Sequence, residues 1–232
     1  MSFKRVVVRR DVLADAKADA AVQRSLFSER GVFVINLVSS PGAGKTALLE
    51  ATAKFWDNKF RIAVLVGDLE TERDAERLAP YTSVAQLTTG GACHLQLPLV
   101  QRGLAALGDP ELDFLFIENV GNLVCPAAHD LAEHLRVVLL SVTDGDDKPG
   151  KYPKIFRSCQ TLVISKIDLL PYVPFRVELA RQDALEVQPT LQCLTVSSLL
   201  GTGVAEWCNY LESQRAAMLA QRSLQTQPNH VA

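Results

Sequence analysis

An apolar run, VFVINLV, broken only by Asn36, passes directly into SSPGAGKT and then into ALLEATAKFW, together residues 32–56. An apolar run of this length without alternation reads as a strand buried on both faces, the kind that parallel sheets use. The helical pattern begins as soon as the Gly-rich turn ends. Its glycines let backbone N–H groups turn toward a phosphate chain lodged at the helix N-terminus. Backbone amides from Gly42, Ala43 and Gly44 through Lys45, Thr46 and Ala47 form the expected cradle. Lys45 neutralises β- and γ-phosphate oxygens, and the Thr46 hydroxyl is placed for Mg²⁺. The strict pattern has Gly where this chain has Ser39. That departure lies at the strand end, away from the two glycines nearest the phosphates.

Six more short apolar runs follow, at 62–66, 84–87, 114–117, 137–142, 162–164 and 191–196. Between them lie helical patterns at 46–56, 94–107, 174–187 and 204–219. Strand–helix alternation implies right-handed crossovers and a doubly wound, mostly parallel α/β sheet, here a P-loop NTPase. Residues 13–29 have helical spacing, so residues 1–31 read as a strand/helix extension, 32–219 as the nucleotide domain and 220–232 as a frayed tail. Lys plus Arg (24) nearly balance Asp plus Glu (26), so no bulk field recruits nucleic acid or an anionic membrane. No apolar stretch approaches the ~18 residues of a membrane span, and Val6–Val8 is too short for a signal core. A cytoplasmic chain with five Cys is expected to keep them reduced, so any Cys that matters does so as a thiolate.

A Mg²⁺ site needs an acid from a neighbouring strand end. Asp68, closing IAVLVG, and Asp74, in TERDAER, are both candidates, and Asp74 also has a candidate catalytic role. Glu118 ends the strand of LFIENVGN, with Gly121 three residues on. That pairing is expected to report the γ-phosphate, so triphosphate and diphosphate states should differ there. Lys45, Asp74 and Glu118 form the candidate catalytic set.

Selection of the base falls to LVISKIDLL. Asp168 can accept from both guanine N1–H and the 2-amino group. Adenine lacks that amino group and would leave the carboxylate unpaired. Lys166 can lay its aliphatic stem along the base. Guanine loops usually read Asn-Lys-x-Asp, and Ser165 stands in the Asn place. The strand before Ser197 and Ser198 ends where backbone N–H groups can meet guanine O6.

The motifs SSPGAGKT, TTGGACHL, FIENVGNLVCP, VTDGDDKPGKYP and SKIDLL together resemble the hydrogenase-maturation nickel-insertion GTPases, the HypB family. The match spans residues 11–219. Urease accessory GTPases are similar but carry a Cys-Pro-His motif, whereas this chain has Cys93-His94 and a separate Cys125. The resemblance implies slow, Mg²⁺-dependent hydrolysis of GTP to GDP, a nucleotide- and metal-linked homodimer, and Ni²⁺ or Zn²⁺ at the subunit interface. A HypA-like zinc-containing chaperone and the hydrogenase large subunit are its implied partners. No Cys or His precedes Cys93, so the N-terminal nickel-storage motif of many members is missing here.

Spacing alone favours two buried cysteines and a helix-capping His; the resemblance assigns Cys93, His94 and Cys125 as ligands. Two thiolates and an imidazole make a soft set suited to Zn²⁺ or Ni²⁺. A helix start at Cys93 would favour its thiolate. Cys159, Cys193 and Cys208 read as core thiols, His129 and His134 as exposed or capping, with auxiliary metal contact left open by their closeness to Cys125, His230 as tail, and Trp56 and Trp207 as core anchors. Two rival functions stand beside this one: a GTPase serving another metalloenzyme such as urease, and a metal-buffering module without turnover.

Overall fold

A computed structural model describes residues 9–68, 73–108 and 110–225. The first helix, α1, is Arg9–Glu29, and the P-loop strand β1 is Phe33–Ser39, followed by α2 (Lys45–Trp56). Then come β2 (Ile62–Asp68), α3 (Arg73–Leu78), β3 (Ser83–Thr88), α4 (Leu97–Ala106) and β4 (Phe114–Glu118). The remainder is β5 (Leu135–Ser141), α5 (Lys148–Lys151), α6 (Pro153–Ser158), β6 (Thr161–Ser165), α7 (Val177–Val187), β7 (Gln192–Val196) and α8 (Val204–Gln225). Short 3₁₀ turns occupy Cys125–Ala128 and Ile167–Tyr172.

All seven expected strands form one parallel sheet in the order β3-β2-β4-β1-β5-β6-β7. β1 is central and every residue in it is buried, which is why its sequence does not alternate. Adjacent residues of a strand point to opposite faces. Ile35 and Leu37 accordingly enter a core with Phe114, Phe116, Trp56, Trp207 and Leu211, under α2 and α8. Val34 faces Leu115, Ile117 and Phe27 under α1 and α4, while Val38 joins Leu140 and Phe156 nearer α6 and α7. Trp56 and Trp207 are core anchors as expected, and the Trp207 indole N–H donates to Thr52 Oγ1 at 3.0 Å.

Two expectations need correction. α8 continues past residue 219 to Gln225, so the tail does not begin at 220. Residues 226–232, His230 among them, lie outside the described residues, as do residues 1–8. His134 is not exposed: its Nδ1 accepts the Val34 N–H at 2.9 Å and its ring stacks on Phe33. Burial pushes its pKa down to about 4. Among the described residues no helix is long and apolar enough to cross a membrane.

Candidate nucleotide and metal site

Every expected site residue lies at the carboxyl edge of the sheet, where open α/β sheets bind ligands. Gly42 and Gly44 adopt φ of +72° and +95°, conformations that L side chains rarely take. Gly44 is the N-cap of α2, with the first-turn amides of Lys45, Thr46 and Ala47 behind it. Ser39 acquires a purpose here. Its buried hydroxyl accepts from Lys45 Nζ at 3.1 Å and donates to the Ser40 carbonyl at 2.7 Å. Lys148, which the sequence reading missed, reaches the same loop from the turn after β5 and donates to Ser40 Oγ at 2.5 Å. Strand order supplies the reason, since β5 borders β1.

Glu118 is 4% exposed and accepts the Thr46 hydroxyl on Oε1 at 2.8 Å. Its other oxygen is buried with no hydrogen-bond partner among the described residues. Burial pushes its carboxyl up to about 7, against the pull of Lys45 and the Thr46 bond. A hydroxyl and an orphaned buried carboxylate oxygen side by side fit an Mg²⁺ ion and its waters. β4 lies between β1 and β2, so Glu118 stands one strand nearer Thr46 than Asp68 does. The Asp68 side chain lies outside the described residues. Asp74 opens α3, half-buried, and its charge reinforces the raised pKa of Glu118.

Gly121 packs against the phosphate loop. A Cβ built there would lie 2.9 Å from Pro41 Cα and 3.0 Å from Pro41 N. The next residue, Asn122, accepts the Val124 and Cys125 N–H groups on Oδ1 at 2.7 and 3.2 Å, and its Nδ2 lies 3.7 Å from Cys125 Sγ. The loop that carries Cys125 is therefore pinned at one end to the P-loop.

The residues expected to read the base lie together around the ends of β6 and β7. Ser197 Oγ donates to Asp168 Oδ1 at 2.5 Å, holding the carboxylate in place, and Ser198 follows at the mouth of the loop. Lys166, at φ +60°, donates to the Gly42 carbonyl at 2.7 Å and so crosses above the cradle. Ser165 donates to the Ala43 carbonyl at 2.7 Å. Ser165 thus ties the end of β6 to the phosphate loop.

Cys93, His94 and Cys125 come together, with their candidate ligand atoms all within 4.8 Å of one another. Two expectations fail at this cluster. The cysteines are not free thiols: Cys93 and Cys125 are joined as a disulfide, with Cα atoms 6.2 Å apart. A pair close enough to share one metal ion is also close enough to bond. Cys93 is not at a helix start either, because α4 begins at Leu97, with Pro98 in its first turn and Gln96 as its N-cap. Gly90 and Gly91, both at positive φ, instead turn the chain so that Cys93 and His94 face Cys125. His94 Nδ1 lies 3.8 Å from Cys93 Sγ, and Nε2 is buried without a hydrogen-bond partner. Its ring stacks on His129, centroids 3.7 Å apart, so His129 braces the cluster, in line with the auxiliary role its closeness to Cys125 left open. Cys159 and Cys208 are buried thiols that burial pushes up to about 12, and Cys193 is raised for the same cause, which keeps all three inert.

Residues 33–195 match the CobW/HypB/UreG nucleotide-binding domain family. The chain is 44% identical over 216 residues to the hydrogenase maturation factor HypB of Azotobacter vinelandii, covering 93% of this chain and 71% of that protein. Against the hydrogenase/urease maturation factor HypB of Helicobacter hepaticus it is 39% identical over 221 residues, 93% and 90% of the two chains. A crystal structure of HypB from Helicobacter pylori in complex with nickel superposes with a TM-score of 0.83 at 36% identity, covering 94% of this chain and all of that one. HypB from Archaeoglobus fulgidus gives 0.80 at 35% identity, with 87% and 99% coverage.

Proposed function

The chain belongs to the CobW/HypB/UreG family, and from that premise we propose that it hydrolyses GTP to drive nickel delivery during [NiFe]-hydrogenase maturation. Lys45 and the amides of residues 42–47 hold the β- and γ-phosphates. Thr46 and Glu118 hold Mg²⁺, with Asp68 or Asp74 as further acids, and the ion supplies positive charge beside the phosphate oxygens. Asp168, steadied by Ser197, accepts from guanine N1–H and the 2-amino group, and the Ser198 backbone serves O6. Intrinsic turnover is slow in this reading, with completion of the site by a partner subunit.

Nickel is the cargo, with zinc as its competitor. Cys93, His94 and Cys125 supply two sulfurs and an imidazole, a soft set that suits either ion. Loading starts from the dithiol, so two electrons and two protons from a thiol reductant must first open the disulfide. Three ligands leave the coordination sphere incomplete, open to a second subunit or to a receiving protein. A homodimer, a HypA-like chaperone and the hydrogenase large subunit are the proposed partners, and the reducing cytoplasm is the proposed setting.

The observation that carries this reading is the short path from the phosphate loop to the cluster: Pro41 against Gly121, then Asn122 bonded to Cys125. A γ-phosphate that draws in the Gly121 backbone must shift Cys125 four residues later. The test is titration of the reduced protein with Ni²⁺ and Zn²⁺ in GDP and in a non-hydrolysable GTP analogue, following oligomer mass. Coupling of the usual size, about 1–3 kcal/mol, would separate the two affinities by 5–150-fold. Cys125→Ala should weaken both the affinity and the difference. Equal affinities with a monomer throughout would leave a metal buffer and no delivery switch.

A further inference from the structure

We infer that this site reads guanine without its N7 atom, so that 7-deaza-GTP binds as GTP does. The inference rests on the assignment of Asp168 to the base and adds which edge of the base goes unread. With N1–H and the 2-amino group on Asp168, and the ribose leading back to the P-loop, the O6–N7 edge faces the ends of β6 and β7. O6 is met by backbone N–H groups near Ser198. N7 is an acceptor and needs a donor from the end of β6, where guanine loops usually place an Asn amide.

Ser165 holds that position, 2% exposed. An Asn amide carries two protons, enough to serve both a loop carbonyl and N7. A hydroxyl carries one, and Ser165 spends it on the Ala43 carbonyl at 2.7 Å. Toward the base it presents only lone pairs, which an N7 lone pair does not attract. The neighbouring donors are also committed. Ser197 Oγ donates its one proton to Asp168, and Lys166 Nζ, which carries three, is drawn to the Gly42 carbonyl of the phosphate loop at 2.7 Å. Replacing N7 with C–H therefore removes no hydrogen bond from Ser165 and leaves the Watson–Crick edge unchanged.

The substitution of Asn by Ser divides two functions that one amide usually performs. The tie between base loop and phosphate loop survives, while recognition of the imidazole edge is lost. Selectivity against adenine is untouched, because adenine carries N7 as well and is rejected at Asp168.

The test is competition of GTP and 7-deaza-GTP against a fluorescent GDP analogue on the full-length protein. Wild type should show dissociation constants less than about threefold apart, below the value of one neutral hydrogen bond. Ser165→Asn, which restores a second donor, should favour GTP by about three- to tenfold. A loss of threefold or more for 7-deaza-GTP on the wild type overturns the inference, whether or not Ser165→Asn folds. Failure of GTP itself to bind overturns the guanine assignment and this inference with it, and is told apart by that outcome.

Discussion

Glu118 gives a prediction whose size follows from its surroundings. A carboxyl raised from its ordinary 4.5 to about 7 binds its proton more tightly in the folded chain than in the unfolded one. Folding stability is then fullest below the unfolded pKa and falls as pH rises, until the folded pKa is passed. At about 1.36 kcal/mol per pH unit the whole loss is about 3.4 kcal/mol, of which about 2.5 falls between pH 5 and pH 8. Glu118→Gln keeps the shape and the acceptor for Thr46 but cannot titrate. The amide adds a fixed offset of its own, so the informative quantity is the change in the mutant-minus-wild-type difference between the two pH values. Urea unfolding of nucleotide-free protein in EDTA should show the variant gaining about 2.5 kcal/mol relative to wild type from pH 5 to pH 8. All other titrating groups cancel. A change below about 0.5 kcal/mol would refute the claim that this carboxyl is held neutral by burial. The same variant should lose Mg²⁺-dependent GTP affinity, so stability and function move in opposite directions.

Lys45→Ala should lower triphosphate affinity or turnover at least about tenfold, since a charge-assisted contact is worth about 1.5–3 kcal/mol, with circular dichroism unchanged; undiminished turnover would sink the phosphate-loop assignment. Asp168→Asn should move preference from GTP toward XTP, because the amide donates to the 2-carbonyl of xanthine, and a competition assay reads the exchange. If wild type hydrolyses ATP as well as GTP, the base assignment fails. Gly121→Ala forces a methyl to within 2.9 Å of Pro41 Cα, so the P-loop or the Cys125 loop must give way. GTP affinity should fall and the difference in metal affinity between GDP and GTP-analogue states should shrink. An unchanged difference would place the coupling elsewhere.

The sheet was legible because its inner strands β1, β4, β5 and β6 are fully buried. Residues such as Val34, Ile35 and Leu37 have no polar alternation to confuse with a surface strand, and Gly42 and Gly44 mark the turn that follows. Asp168 and Lys166 could be placed by their position after β6 alone. Contacts between distant loops were not legible. Nothing in the spacing of Glu118 and Thr46 announces that they touch; strand order decides it by setting β4 beside β1. The Cys93 helix start was misread because the apolar pattern runs through residues 94–107, while Gln96 and Pro98 delay the helix until Leu97. The disulfide was missed because five cysteines in a chain of this length argue for free thiols. Lys148 was missed as a contact because its partner Ser40 lies far away in sequence.

The central place of β1 also sets a timetable for synthesis. Its two neighbours are β4, whose Phe114 pairs with Phe33, and β5, whose Leu139 pairs with Ser39. Both lie some eighty to a hundred residues downstream. At ribosomal speeds of about 5–20 residues per second, the strand that leads into the phosphate loop waits several seconds for a partner on either side. Neither phosphates nor metal can be gripped in that interval. Because β5 follows the Cys125 loop, both cysteines of the cluster have emerged before the sheet can close around the P-loop, and a nascent chain meets its redox environment before it meets GTP.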